Sequence, residues 1–179
     1  MKTLYTERLV IRRWEACDAA ALIQIANQEH VHSWLPDWRN AEKWVRFWIA
    51  KVRNHYDIDN PMTHPVSMAV ALKATDQVIG QINAAGFQNK EIGTGYFIDE
   101  HFKNCGYITE AMACFIAYLF DQYPYDHIIA TIQPLNESSK SVAAKLGFRY
   151  VSTIRMLDDG QTEVLPFDYY RLDHPAYRR

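Results

Sequence analysis

The sequence predicts an α+β protein in which a mixed, mainly antiparallel sheet is flanked by helices, and three stretches predict it. Val66, Met68, Val70 and Leu72 alternate with Ser67, Ala69 and Ala71, then Thr75-Asp76-Gln77 turns the chain and Val78 to Phe87 returns it, a hairpin. From Tyr96 to Gln133 an apolar extended segment runs through a polar loop into a helix and on to a second strand, a β-α-β unit. Arg149 to Met156 and Phe167 to Leu172 flank Asp158-Asp159-Gly160, a closing hairpin.

The remaining elements follow in chain order. Arg8 to Trp14 reads as a strand with Leu9 and Ile11 on one face, and Asp18 caps a helix that turns Leu22, Ile25 and Ala26 inward. Val31 to Arg39 breaks periodicity and reads as a loop around Pro36. Asn40 then caps a second helix with Ala41, Trp44, Val45, Trp48 and Val52 at helical spacing. Trp44 and Trp48 belong to its packed face. Trp34 and Trp38 fall in the loop, where core packing and acceptor binding are both open to them. A third strand ends at Asp99. Its Gly93 and Gly95 mark a bulge, or a backbone that something approaches closely. The helix after Gly106 carries Ile108, Met112, Phe115 and Leu119 on one stripe and stops before Pro124, and the strand His127 to Gln133 follows. Asn136 opens a short last helix closed by Gly147.

Composition narrows the function. The 179 residues are 49% hydrophobic and 13% aromatic, enough for one domain spanning 1–179 with a full core. A net charge of −2 argues against a nucleic-acid partner, and Arg12-Arg13 and Arg178-Arg179 are the only basic pairs, the latter a solvated end. No apolar leader precedes Thr6-Glu7-Arg8 and no run reaches membrane-span length, so a cytoplasmic protein without a membrane partner is expected. Cys17, Cys105 and Cys114 show no metal or disulfide spacing. His30-x-His32 has no further ligand near it, so no metal is expected.

The loop before the Ile108 helix carries the chemistry. A strand, a Gly-containing turn and a helix start leave unpartnered amides and positive potential together, which suits a phosphate or pyrophosphate. Lys103-Asn-Cys-Gly106-Tyr-Ile-Thr-Glu-Ala111, followed by Asn136-x-x-Ser139 and Lys145-Leu-Gly-Phe148, resembles the GNAT (GCN5-related) N-acetyltransferases, and within them the ribosomal-protein N-terminal (serine/alanine) acetyltransferase branch. Thr6-Glu-Arg-Leu-Val-Ile-Arg-Arg13 and Asp168-Tyr-Tyr-Arg-Leu172 resemble that branch's first and last strands, so the likeness spans nearly the whole chain.

The resemblance implies the GNAT fold, acetyl-coenzyme A as co-substrate and no metal. Acetyl-CoA would lie between the strand ending in Phe97-Ile98 and the His127 strand. Its pyrophosphate would rest on the loop of Lys103, Asn104, Cys105, Gly106, Tyr107, Ile108 and Thr109. Asn104 stands where the family has its first Gly, and Ile108 where it has Gly or Ala; Asn tolerates the left-handed backbone such a position needs. Asn136 matches the family's pantetheine-binding Asn, and Ser139 a residue that serves the departing thiolate. The general base is open among Glu91, Asp99, Glu163 and Asp168, with Glu163 carried as the catalytic candidate, and Trp34 and Trp38 are acceptor-binding candidates.

The resemblance implies a primary amine as acceptor. At pH 7, freeing a lysine amine costs roughly 4.6 kcal/mol and a peptide α-amine only about 1 to 1.4. The lack of an evident base thus favours the N-terminal α-amine of a protein such as a ribosomal protein. A small amine (polyamine, amino acid or antibiotic) and a non-catalytic acyl-CoA-binding module are the alternatives. Acidic residues at the acceptor mouth would favour a polyamine or aminoglycoside, an open groove a peptide. A monomer and a homodimer fit equally.

Overall fold

A computed structural model describes residues 1–175. Arg178-Arg179 lie outside the described residues. The strands are β1 (Leu4–Tyr5), β2 (Leu9–Arg12), β3 (Val66–Leu72), β4 (Val78–Gly86), β5 (Ile92–Ile98), β6 (His127–Ile132), β7 (Arg149–Met156) and β8 (Leu165–Asp173). They form one sheet in the order β1-β2-β3-β4-β5-β6-β8-β7, and every pairing is antiparallel except β5 with β6. The helices are α1 (Ala19–Ala26), α2 (Glu29–His32), α3 (Ala41–His55), α4 (Tyr107–Gln122) and α5 (Glu137–Lys145). Among the described residues, no helix is long and apolar enough to cross a membrane.

Helix α1 packs on α3 and β4, while α4 packs on β1, β2, β4, β5 and α5. The expected stripe of α4 is real: Ile108, Met112, Phe115 and Leu119 are all buried. Truncating Phe115, which is fully enclosed, would cost about 3–5 kcal/mol. In β3 the expected alternation of exposure is absent. Val66 through Ala71 are all buried, because β3 sits inside the sheet with helices against it, and its small Ser and Ala residues occupy the second covered face.

Three local readings are corrected. Asp18 does not cap α1 with its side chain; it closes a 3-10 turn, Ala16–Asp18, by accepting from the Glu15 amide (2.8 Å) and pairing with Arg12 (2.7 and 3.0 Å). The pair is worth more to a buried carboxylate than one exposed amide contact would be. Asn40 starts α3 in the left-handed region (φ 55°), again without a side-chain cap. The stretch expected as a loop, Val31 to Arg39, begins in the last two residues of α2 and holds a 3-10 turn, Pro36–Trp38, both elements too short to show periodicity.

Strand β5 has no bulge at its glycines: its register with β4 is unbroken from Gly80↔Ile98 to Gly86↔Ile92. The close approach holds at Gly95 and not at Gly93, where a Cβ would meet the Ile129 side chain at an ordinary 3.5 Å. A Cβ on Gly95 would stand 2.8 Å from Asn83 Oδ1. Strands β5 and β6 meet only at Gly93↔Ile129 and diverge beyond it, leaving a wedge with unpaired backbone on both sides.

Candidate active site

The wedge opens into a cavity of about 500 Å³. Thr94 to Ile98 of β5 form one wall and Ala130 to Gln133 the other. Lys103, Asn104 and Gly106 to Thr109 close one end. Asn136, Ser139 and neighbouring residues of α5 form a side, and His30, Val31, Trp34, Leu35 and Asp158 rim the rest.

The loop has the geometry of an anion cradle. Asn104 (φ 61°) and Gly106 (φ 80°) both take the left-handed conformation, so Asn104 supplies without glycine the bend its position needs. Lys103 N–H bonds Glu100 O and Glu110 N–H bonds Gly106 O; among the described residues, the amides of Asn104 to Thr109 have no backbone acceptor. These are the free donors of a helix start, carrying the positive end of α4's dipole. Ile108 is buried, so its bulk packs into the core and meets the cavity only at its floor. Cys105 is exposed, its Sγ turned to Lys103 O (3.4 Å), and its residue does not reach the cavity.

Asn136 caps α5 by accepting from Ser139 N–H (3.1 Å), leaving its NH₂ group for a ligand. That bond holds Ser139 in the first turn, where it lines the cavity. Beside it, the Tyr96 hydroxyl is buried without a partner of good hydrogen-bond geometry; burial pushes its pKa up and the nearby Ser139 hydroxyl pulls it back. Phe97 points to the other face of β5, by strand alternation, and stacks edge-on with Trp38 at 4.7 Å.

Trp34 lines the cavity and Trp38 does not. Trp38 is 7% exposed, in ring contact with Trp44 (5.0 Å), Trp48 (5.2 Å) and Phe97, so its place is in the core. Three of the four base candidates are engaged away from the cavity. Glu91 accepts from Tyr169 Oη (2.5 Å) and contacts His127 Nε2 (2.9 Å). Asp99 holds the His101 amide and ring (2.9 and 2.8 Å). Asp168 accepts from Thr153 (2.8 Å) and pairs with Lys140 (3.1 Å). Glu163 is exposed and outside the cavity.

Asp158, from the same β7–β8 loop as Glu163, is the carboxylate that lines the cavity among the described residues; in the sequence it carries only the signal of a turn residue. Burial pushes its pKa up, the Asp159 amide lowers it, and the Asp159 charge raises it. The loop is pressed onto the Pro36–Trp38 turn: a Cβ on Gly160 (φ 74°) would lie 2.4 Å from Asp37 N. Asp37 keeps an exposed side chain, yet partial desolvation under the β7–β8 loop pushes it up to about 6, with Asp158 and Asp159 adding repulsion against the help of its own and the Trp38 amides. Among the described residues no group of three or more His, Cys, Asp or Glu could hold a metal ion.

Comparison with known proteins gives this architecture a family. The acetyltransferase (GNAT) domain profile matches residues 8–149. The chain is 30% identical over 147 residues, 80% of its length and 81% of the relative's, to an uncharacterized N-acetyltransferase, YnaD, of Bacillus subtilis. Its fold superposes on a ribosomal-protein-serine acetyltransferase, so described provisionally, of Vibrio cholerae with a TM-score of 0.81 at 20% identity, covering 97% of this chain and 98% of that one. RimL, a ribosomal L7/L12 α-N-protein acetyltransferase solved with coenzyme A, gives a TM-score of 0.77 at 14% identity over 96% and 98%. The chain belongs to the GNAT acetyltransferase family and is an acetyl-CoA-dependent N-acyltransferase with that family's mixed, mainly antiparallel sheet.

Proposed function

We propose that the protein transfers the acetyl group of acetyl-CoA to the N-terminal α-amine of a protein or peptide. One observation carries the reading: a single cavity is lined by a free-amide loop, by Ser139 and by one carboxylate, Asp158. The loop from Lys103 to Thr109 would hold the pyrophosphate, the Asn136 NH₂ the pantetheine arm, and the diverging β5 and β6 would flank that arm.

In the reaction a neutral amine attacks the thioester carbonyl carbon; the C–N bond forms and the C–S bond breaks. Asp158 takes the proton the amine nitrogen sheds, directly or through water, and its raised pKa makes it the stronger base. Ser139 donates its hydroxyl to the departing sulfur. No covalent enzyme intermediate is needed. RimL's description as an α-N-protein acetyltransferase agrees with this acceptor.

Asp158 is the one carboxylate lining the cavity among the described residues, and Trp34 and Leu35, which line it too, are apolar. A single amine on a peptide end suits that better than a polycation. The second reading, a small polyamine acceptor, rests on Asp37 and Asp159, which stand behind Asp158 and add negative potential. We place the protein in the cytoplasm, where acetyl-CoA and newly made protein ends meet.

Thiol release from acetyl-CoA across a panel of Ser- and Ala-initiated peptides, spermidine and free amino acids tests this. The peptides are expected to give the highest kcat/KM. Spermidine as the best acceptor would replace the reading, and tight CoA binding with no release for any amine would make the domain a binding module.

A further inference from the structure

The loop that receives the anion is held from outside its own β-α-β unit, by one guanidinium. Arg8, at the entry to β2, donates through Nη1 to Cys105 O (3.1 Å) and through Nε and Nη2 to Glu110 Oε2 (2.7 Å each). Its guanidinium lies 4.3 Å over the Tyr107 ring. At Gly106 a Cβ would meet nothing nearer than Arg8 Nη2, at 3.5 Å. Glu110 is fastened further, its Oε1 accepting from Thr6 Oγ1 (2.5 Å) and the Arg8 amide (3.0 Å).

Two consequences follow from elementary geometry and charge. A trans peptide directs its C=O and N–H oppositely, so fixing Cys105 O on Arg8 fixes the Gly106 N–H pointing away from the guanidinium. Glu110 in the first turn of α4 suits the helix dipole but repels a second anion bound there. Arg8 cancels that charge where it stands. Lys could supply the charge but not three directed contacts and a stacked plane.

We propose that Arg8 is a positioning residue for the donor's pyrophosphate: clamped across Cys105, Tyr107 and Glu110, it sets the loop amides in their binding orientation and neutralises Glu110. The proposal rests on the acetyl-CoA reading of the cavity. Arg8 acts through the loop and does not line the cavity that Ser139 and Asp158 line, so it governs donor binding and leaves the chemical step alone.

The test compares two donors, acetyl-CoA and S-acetylpantetheine, which lacks the pyrophosphate, in the wild type, Arg8→Ala and Arg8→Lys, with calorimetry of CoA binding alongside. Arg8→Ala is expected to weaken CoA binding and raise the acetyl-CoA KM about tenfold, with kcat and the acetylpantetheine kcat/KM within about twofold of wild type. Arg8→Lys, expected to lose about fivefold, decides the question if the alanine variant does not fold. Equal losses with both donors, or unchanged CoA affinity in folded Arg8→Lys, would overturn the proposal. A wild type that binds no CoA would instead overturn the reading of the cavity on which it rests.

Discussion

Gly160→Ala adds one methyl group where the β7–β8 loop touches the Pro36–Trp38 turn. The new Cβ would lie 2.4 Å from Asp37 N and 2.7 Å from its Cα, where ordinary contact begins at 3.4 Å, so loop and turn must part by about 1 Å (3.4 − 2.4). The backbone cannot relieve this by rotation, because φ 74° is already unfavourable for Ala by about 1–2 kcal/mol. With the overlap, a total of about 2–3 kcal/mol is expected, a fall in Tm of about 4–12 °C. Asp158 sits two residues away and Trp34 adjoins the opposing turn, so the rim that should orient the amine moves with it. A displacement of this size costs about ten- to a hundredfold in rate when it misaligns reactants. Steady-state kinetics with a Ser-initiated peptide should show that loss in the acceptor's kcat/KM, with the acetyl-CoA KM unchanged, since the Lys103–Thr109 loop is at the other end. A destabilised but folded variant with normal acceptor kinetics would refute the assignment of the rim.

The other substitutions separate binding from chemistry. Ser139→Ala removes one donor to the departing sulfur; kcat should drop about ten- to a thousandfold while calorimetry gives an unchanged CoA affinity. Gly106→Glu forces a side chain onto φ 80° and sets a carboxylate among the free amides, so CoA binding should become undetectable by calorimetry in folded protein. Asp37→Asn tests the electrostatics of the rim. Because the folded-state pKa of about 6 exceeds the unfolded value near 4, the folded protein holds the proton more tightly, and stability falls as pH rises from about 4 to 6. The variant should therefore melt higher than wild type at pH 7, by about 1 kcal/mol or less since solvent screens this exposed side chain, and match it near pH 4.

What the sequence revealed tracks how local each signal is. The hairpins, the α4 stripe and the Gly106 loop announce themselves within a dozen residues, and their boundaries agree with the fold to within a few positions. Strand β1 is two residues long and has no pattern to read. Trp38 sits in a stretch without periodicity, and only the arrival of Trp44, Trp48 and Phe97 from other elements makes it core. The choice between Glu163 and Asp158 was likewise hidden. Both belong to one polar connection, and which of them reaches the cavity depends on Gly160 docking against Asp37, a contact between residues 123 positions apart (160 − 37). Arg8 could be read as part of a family-like opening strand, but its contacts with Cys105 and Glu110 span 97 and 102 residues.

The central claim, acetyl transfer to an α-amine, is tested most directly by one peptide. A short Ser-initiated peptide with an internal lysine, incubated with acetyl-CoA and the protein and mapped by fragmentation mass spectrometry, should carry acetyl on its N-terminal nitrogen with the lysine unmodified. Its yield should fall with Ser139→Ala. Acetylation confined to the lysine, or a peptide unchanged beside a small amine that is acetylated in the same tube, would contradict the account.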